Sequence, residues 1–455
     1  MASSWEQFEV KKQLLVAAIK QVDGDVALAK KTSNLFRKRQ QDNVKRLDVR
    51  NFHGVIEVDV AARTVEVEGM TRFDELVDAT LAHDLMPAVV PQLRSITIGG
   101  AIAGLGIESS SFRLGLVHET LIEFEVLLGD GSVVVVRADN EHKELFYGFP
   151  NSYATLGYVL RAKLQLFAVK PFVELHHVRF DTPSEYFKAV EAITQSKMYN
   201  DQPVDFLDGV VFEPGEQYLT LGRMVDVAPH TSDYTWLNIY YRSIWQRSTD
   251  YLSVKDYIWR WDTDWFWCSK NIPGVSTKLG RLLLGRRYLR STTYWKLMAL
   301  DQRYQVMAKL DKLIGKNGHK SETIIQDVEI PLDRCEEFLE FFQNEINIRP
   351  VWICPLKTYD AKTVYPLYSM DPQKVYVNFG FWDTIATQHE AGHYNRLLEA
   401  KVEALGGRKS LYSDSFYSRE QFWELYNKPA YDKLKDRYDP GRRFKDLYDK
   451  CVKNS

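Results

Sequence analysis

The segment Thr97 to Gly115, TIGGAIAGLGIESSSFRLG, sets glycine at 99, 100, 104, 106 and 115 and serine at 109, 110 and 111. Glycine reaches left-handed torsions without a Cβ penalty and lets main-chain N–H groups approach a ligand closely. Gly99, Gly100, Gly104 and Gly106, with Thr97, Ile98 and Ala103 between them, can therefore line the concavity that a pyrophosphate needs, and the hydroxyls of Ser109 and Ser110 add donors. A flexible connector would not interleave Ile98, Ala101, Ile102, Leu105 and Ile107, which read as buried packing.

Spacing argues against two other glycine motifs. No Gly-Lys-Ser/Thr triplet follows, as a P-loop requires. The dinucleotide fingerprint places an acid about twenty residues on, after a helix. Here a strand-like run follows instead, FEVLLGDGSVVVV from Phe124 to Val136, whose Asp130-Gly131 pair reads as a hairpin turn.

At 455 residues the chain has room for two or three domains. Its net charge of −2 offers no field for nucleic acid. Cys268, Cys335, Cys354 and Cys451 form no CxxC pair, which argues against zinc, iron–sulfur and dithiol sites and suits a reducing compartment. The N-terminal stretch lacks the pattern of a leader, and no eighteen apolar residues run together. The expectation is a cytoplasmic protein, soluble or peripheral at a membrane surface. Periodicity predicts a helix over 6–21, strands at GVIEVDV and TVEVEGM, and a helix from Phe73 to Leu85.

The runs VPQLRSITIGGAIAGLGIESSSFRLG from Val90, LGDGSVVV and YATLGYVLRAKLQL together resemble the flavin domain of the vanillyl-alcohol-oxidase (PCMH-type) superfamily. Within it, IESSS at Ile107, IIQDVEIPL at Ile324, FFQNEINIRPVWICPLK at Phe341 and LYSDSFYSREQFWELY at Leu411 are similar to the Δ24-sterol reductase (diminuto/dwarf/seladin) group. The resemblance implies an α+β protein. A two-lobed FAD-binding domain would span 1–170, a cap or substrate domain on an antiparallel sheet covered by helices 171–407, and a segment returning to the flavin lobe 408–455. It also implies a first phosphate loop at Thr32, Ser33 and Asn34, without the usual Arg-Gly-x-Gly signature, and a path for the flavin past Gly157 and Val159. The first loop holds no attachment histidine, so FAD is expected to bind noncovalently.

Two-residue periodicity places Asp327 and Glu329 on one face of a strand, about 7 Å apart. Tyr376 and Asn378 share a face of another, opposite Val377 and Phe379. Reducing an isolated alkene needs hydride on one carbon and a proton on the other, and burial beside a like charge would hold Asp327 or Glu329 protonated. The resemblance puts Tyr376 against the flavin ring and brings Tyr412 near it. It implies an FAD-dependent reductase of an apolar lipid alkene, with NADPH or NADH as electron donor. The rival readings are an alcohol or sugar oxidase or epimerase, and a non-catalytic lipid-binding protein.

Two further motifs carry expectations. QHEAGHYN matches HExxH at His389, Glu390 and His393, but Gly392 weakens a helix there, and no metal is expected. KLGRLLLGRRYLR, Lys278 to Arg290, combines five cations, no acid and a leucine stripe, as a helix lying on a membrane surface does.

Overall fold

The computed structural model describes residues 4–30, 36–37, 44–272, 274–293, 296 and 320–452. Two large sheets carry the fold. The first runs in the spatial order Val55–Asp59, Thr64–Glu68, Tyr158–Ala168, Leu121–Leu127, Val133–Arg137, with Leu85–Pro87 also paired to Tyr158–Ala168. The expected hairpin closes this sheet's edge, pairing Leu127 with Val133 across Gly131 at φ 87°.

The second sheet is eight-stranded and antiparallel, in the order Thr249–Ser253, Phe172–Phe180, Glu216–Val225, Phe206–Glu213, Val351–Leu356, Tyr376–Thr387, Lys320–Pro331, Arg408–Lys409. The chain passes from first sheet to second between Ala168 and Phe172. The Arg408–Lys409 strand still belongs to the second sheet, pairing with Glu329 and Val328, so the return to the first lobe comes after Lys409 rather than at 408.

Alternation along the second sheet's strands decides what each face meets. Ile324, Val328 and Ile330, with Val377, Phe379 and Phe381, point into a core closed by the helices Pro183–Ser196, Cys335–Phe341 and His393–Ala404. Pro183–Ser196 shows why such a helix forms: Thr182 caps it by accepting from Glu185 N, proline fills the first turn, and Tyr186, Phe187, Val190 and Ile193 make one apolar stripe. The opposite face, bearing Asp327 and Glu329, looks toward the first lobe.

The N-terminal helix Ser4–Lys20 covers the first sheet by different means. Lys11 pairs with Glu68 at 2.7 Å and Lys12 with Glu125 at 3.1 Å. Arg161 gathers Glu123 at 2.6 Å, Glu125 at 2.8 Å and Glu66. No helix among the described residues is long and apolar enough to cross a membrane.

Candidate active site

A cavity of about 720 Å³ opens between the two sheets, within the range of roughly 300–1,000 Å³ usual for small-molecule sites. Stretches distant in sequence build it, among them the Asp25–Leu28 segment, the glycine-rich segment, Trp265–Cys268, the carboxylate face of the second sheet, and Phe444–Val452.

The glycine-rich segment is not a loop throughout. Ile98–Ala103 forms a short helix, and Thr97, Gly99, Gly100, Ala103, Gly104 and Gly106 line the cavity. Gly99 is needed for packing as well, since a Cβ there would sit 2.8 Å from the Gly69 carbonyl and 3.2 Å from Val159 Cβ. Val159 lines the cavity too.

Several sequence-predicted residues lie elsewhere. Ile98 is wholly buried and its N–H donates to Thr71 O at 2.9 Å, so it faces the core. Ser109 Oγ bonds Tyr257 Oη at 2.8 Å, and Ser110 Oγ donates to Ala88 O at 2.6 Å, so both hydroxyls brace the protein instead of reaching the cavity. Gly157, at φ 150°, makes room for strand pairing, because a Cβ there would meet Val126 Cγ1 at 2.3 Å. Tyr376 begins its strand opposite Pro331, and its hydroxyl accepts from Asp371 N at 3.0 Å, outside the cavity wall. Thr32, Ser33 and Asn34 fall outside the described residues.

Asp327 and Glu329 do meet in the wall, with Ile325 on the same strand face and Tyr412 across from them. Asn378 Nδ2 donates to Asp327 Oδ1 at 2.8 Å, Tyr412 sits within hydrogen-bond reach of the same carboxyl, and Trp382 Nε1 donates to Tyr412 Oη at 3.1 Å. Tyr368 Oη donates to Glu329. Neither carboxylate has a cationic partner among the described residues. Burial raises the Asp327 carboxyl to about 6 against the pull of Asn378 and Tyr412. Burial raises Glu329 to about 8, with the Asp327 charge adding to the effect and the Tyr368 bond opposing it. Glu329 is therefore mostly protonated at neutral pH.

The rest of the wall divides into an aromatic part and a cationic part. Trp265, Phe266, Trp352 and Trp382 form the first, Phe266 meeting Trp382 at 4.5 Å and Trp352 at 5.1 Å between ring centroids. Trp265, Phe266 and Trp267 all adopt left-handed torsions, φ 48°, 55° and 56°, a rare run for bulky residues that turns two of the three rings onto the cavity. Lys30, Arg37, Arg46, Lys445 and Lys450 form the second part. Arg37 stacks on Tyr153 at 4.9 Å, and burial with Arg37 nearby pushes the Lys450 ammonium down to about 7. The basic stretch KKTSNLFRKRQQDNVKRLDV from Lys30 and the seven tryptophans between Trp236 and Trp295 are visible in the sequence, but their meeting in one cavity is not. The tryptophan density gave a signal for the aromatic wall, whereas nothing local marks Lys450.

No helix runs through HEAGH. The helix His393–Ala404 starts only at the second histidine, behind Gly392 at φ 84°, and His389 stacks on His393 at 3.9 Å. Among the described residues no group of three or more His, Cys, Asp or Glu side chains could hold a metal ion.

Arg37 Nη2 and Gln92 Nε2 are buried donors in cavity-lining residues with no hydrogen-bond partner. Unmet donors, cations and an aromatic wall suit a planar, anionic, acceptor-rich cofactor such as FAD. The FAD binding domain family model matches residues 13–137, which contain the glycine-rich segment. The Delta(24)-sterol reductase of Rattus norvegicus is 28% identical over 420 residues, covering 89% of this chain and 77% of its own. The Delta(24)-sterol reductase homolog dhcr-24 of Caenorhabditis elegans is 25% identical over 439 residues, 91% and 80% of the two chains. Along most of its length the chain is similar to the Δ24-sterol reductases. It is an FAD-dependent oxidoreductase with a PCMH-type flavin domain. Cytokinin dehydrogenase 7 of Oryza sativa subsp. japonica is 26% identical over 151 residues, covering 33% of this chain and 28% of its own. Similarity to the sterol-reductase homologues thus reaches far beyond the stretch shared with that dehydrogenase.

Proposed function

We propose that the chain reduces a carbon–carbon double bond of an apolar lipid, in the manner of a Δ24-sterol reductase, with NADPH or NADH as electron donor. The observation that carries the reading is the pair Asp327 and Glu329, two carboxyl groups without cations in the wall of an aromatic cavity. FAD, held noncovalently, supplies hydride chemistry when reduced. Arg37, Gln92, Lys450 and the glycines from Gly99 to Gly106 would hold it. No histidine lines the cavity among the described residues, which supports noncovalent attachment.

Glu329, protonated at neutral pH, gives its proton to one alkene carbon while the other receives hydride. Tyr368 stabilises the carboxylate left behind, by a bond already in place. Asp327 supports the proton on Glu329 through its charge. Trp265, Phe266, Trp352 and Trp382 exclude water and suit an apolar chain. Such a substrate favours a cytoplasmic protein working peripherally at a membrane surface.

Anaerobic rapid mixing tests the reading. NADPH or NADH should bleach the flavin, and a sterol alkene should restore its colour. Reoxidation by oxygen alone, whatever alkene is offered, would establish an oxidase instead. Acid precipitation should leave the yellow colour in the supernatant.

A further inference from the structure

The helix Lys278–Leu284 turns its apolar face outward. Leu279, Leu282, Leu283 and Leu284 are 67%, 54%, 80% and 40% exposed, and Tyr288 is 56% exposed. Soluble proteins seldom leave so many neighbouring large apolar side chains in water. Lys278, Arg287 and Arg290 surround the leucines and are exposed, with no carboxylate partner among the described residues. Arg286 differs, being paired with Asp233 at 2.9 Å.

The same element is firmly fixed from beneath. Arg281 is fully buried, pairs with Asp264, and donates to Trp236 O at 2.9 Å and Asn238 O at 3.1 Å. Leu289 packs with Val275 and Trp265 in a small satellite core, and Trp265, Phe266 and Cys268 line the cavity. The element that carries the exposed leucines therefore rests directly on the segment that supplies part of the aromatic wall, through Leu289 on Trp265 and Arg281 on Asp264.

We propose that residues 278–290 dock on an anionic membrane surface, with the four leucines and Tyr288 inserted among the lipids and Lys278, Arg287 and Arg290 on the phosphates. Apolar side chains seek the acyl boundary while cations draw the protein to negative headgroups. The Arg281 and Leu289 anchors hold the Trp265 side of the cavity next to the bilayer, so that an apolar lipid can pass inward without crossing water. This last point rests on the lipid-reductase reading; docking itself does not.

Co-sedimentation of the flavin-loaded protein with phosphatidylcholine vesicles, with and without phosphatidylserine, tests the docking. Binding should need phosphatidylserine and fall as salt rises. Arg287→Glu with Arg290→Glu should weaken it about tenfold or more, and Leu282→Asp with Leu283→Asp should do the same. Both doublets alter only exposed side chains, and an unchanged flavin spectrum with an unchanged melting midpoint verifies the fold. Binding that ignores either doublet, equal binding to neutral vesicles, or none at all overturns the proposal. Vesicle binding without reduction of any lipid alkene would leave docking standing and remove the reductase reading. Turnover on detergent-dispersed sterol without vesicle binding would do the reverse.

Discussion

Arg161 in the first sheet is met by Glu66, Glu123 and Glu125, while Asp327 and Glu329 in the second sheet have, among the described residues, Asn378, Tyr412 and Tyr368 as polar neighbours and no cation. Both groups are carboxylates on strands, shielded from solvent. In the first, cations from a neighbouring strand and from the Ser4–Lys20 helix compensate the charge, so the acids act as fasteners. In the second, polar neutral groups leave the charge uncompensated, and a proton takes the cation's place. Charge compensation thus separates acids that hold the fold from acids that can give up a proton.

The largest test of this contrast is Arg161→Ala. It leaves Glu123 without its cation and Glu66 and Glu125 with one lysine each, Lys163 and Lys12, so unfolding should become easier by about 3 kcal/mol, the lower end for a broken buried pair, seen in a denaturant titration, while reoxidation per folded molecule stays intact. The opposite pattern belongs to Glu329→Gln and Asp327→Asn. Flavin binding and its reduction by nicotinamide should persist in both, yet alkene-dependent reoxidation should slow by roughly 10²-fold in Glu329→Gln, the scale of a lost general acid, and by less in Asp327→Asn, which keeps the donor. If Arg161→Ala slowed reoxidation as much as Glu329→Gln does, the contrast would fail.

A pH series sharpens the comparison further. The proton donor must be protonated to act, so reoxidation should decline as pH rises through about 8 if Glu329 gives the proton, or through about 6 if Asp327 does. Stability has the same sign. A carboxyl raised in the folded state from 4.5 to about 8 favours folding fully below 4.5, and that contribution is lost as pH rises toward 8. Glu329→Gln should flatten the melting midpoint across this window. The smallest effect is expected for Tyr376→Phe, which removes one hydrogen bond to Asp371 N, for about 1 kcal/mol or less, and should leave reoxidation unaltered.

Strand periodicity made much of this legible. It placed Asp327 and Glu329 on one face and Val377 with Phe379 on the other, because a half-buried strand writes its environment into alternate residues. The glycine-rich segment was legible as a close approach, but glycine alone does not say whether ligand or protein is approached. Gly99 and Gly157 make room for neighbouring strands and their side chains, and Ser109 and Ser110 bond protein atoms. The resemblance set Tyr376 against the flavin ring, whereas the structure puts it at the start of its strand, outside the cavity wall, because a resemblance carries over a strand more readily than a position along it. In the cationic part of the wall Arg37 belongs to a visible basic stretch, but Lys450 has no local signature, since the two come together only through long-range folding.

The parallel pair Val26–Ala29 and Lys45–Asp48 sits at one end of the cavity, and Val26 N donates to Arg443 O at 2.9 Å. Phe36 N likewise donates to Tyr412 O at 2.9 Å, and Lys435 Nζ to Thr155 O at 2.7 Å. Early and late segments of the polypeptide thus form one wall. During vectorial synthesis the first sheet can assemble well before Phe444–Val452 leaves the ribosome. A nascent flavin lobe would then lack the Phe444–Val452 part of its cavity wall until that segment arrives.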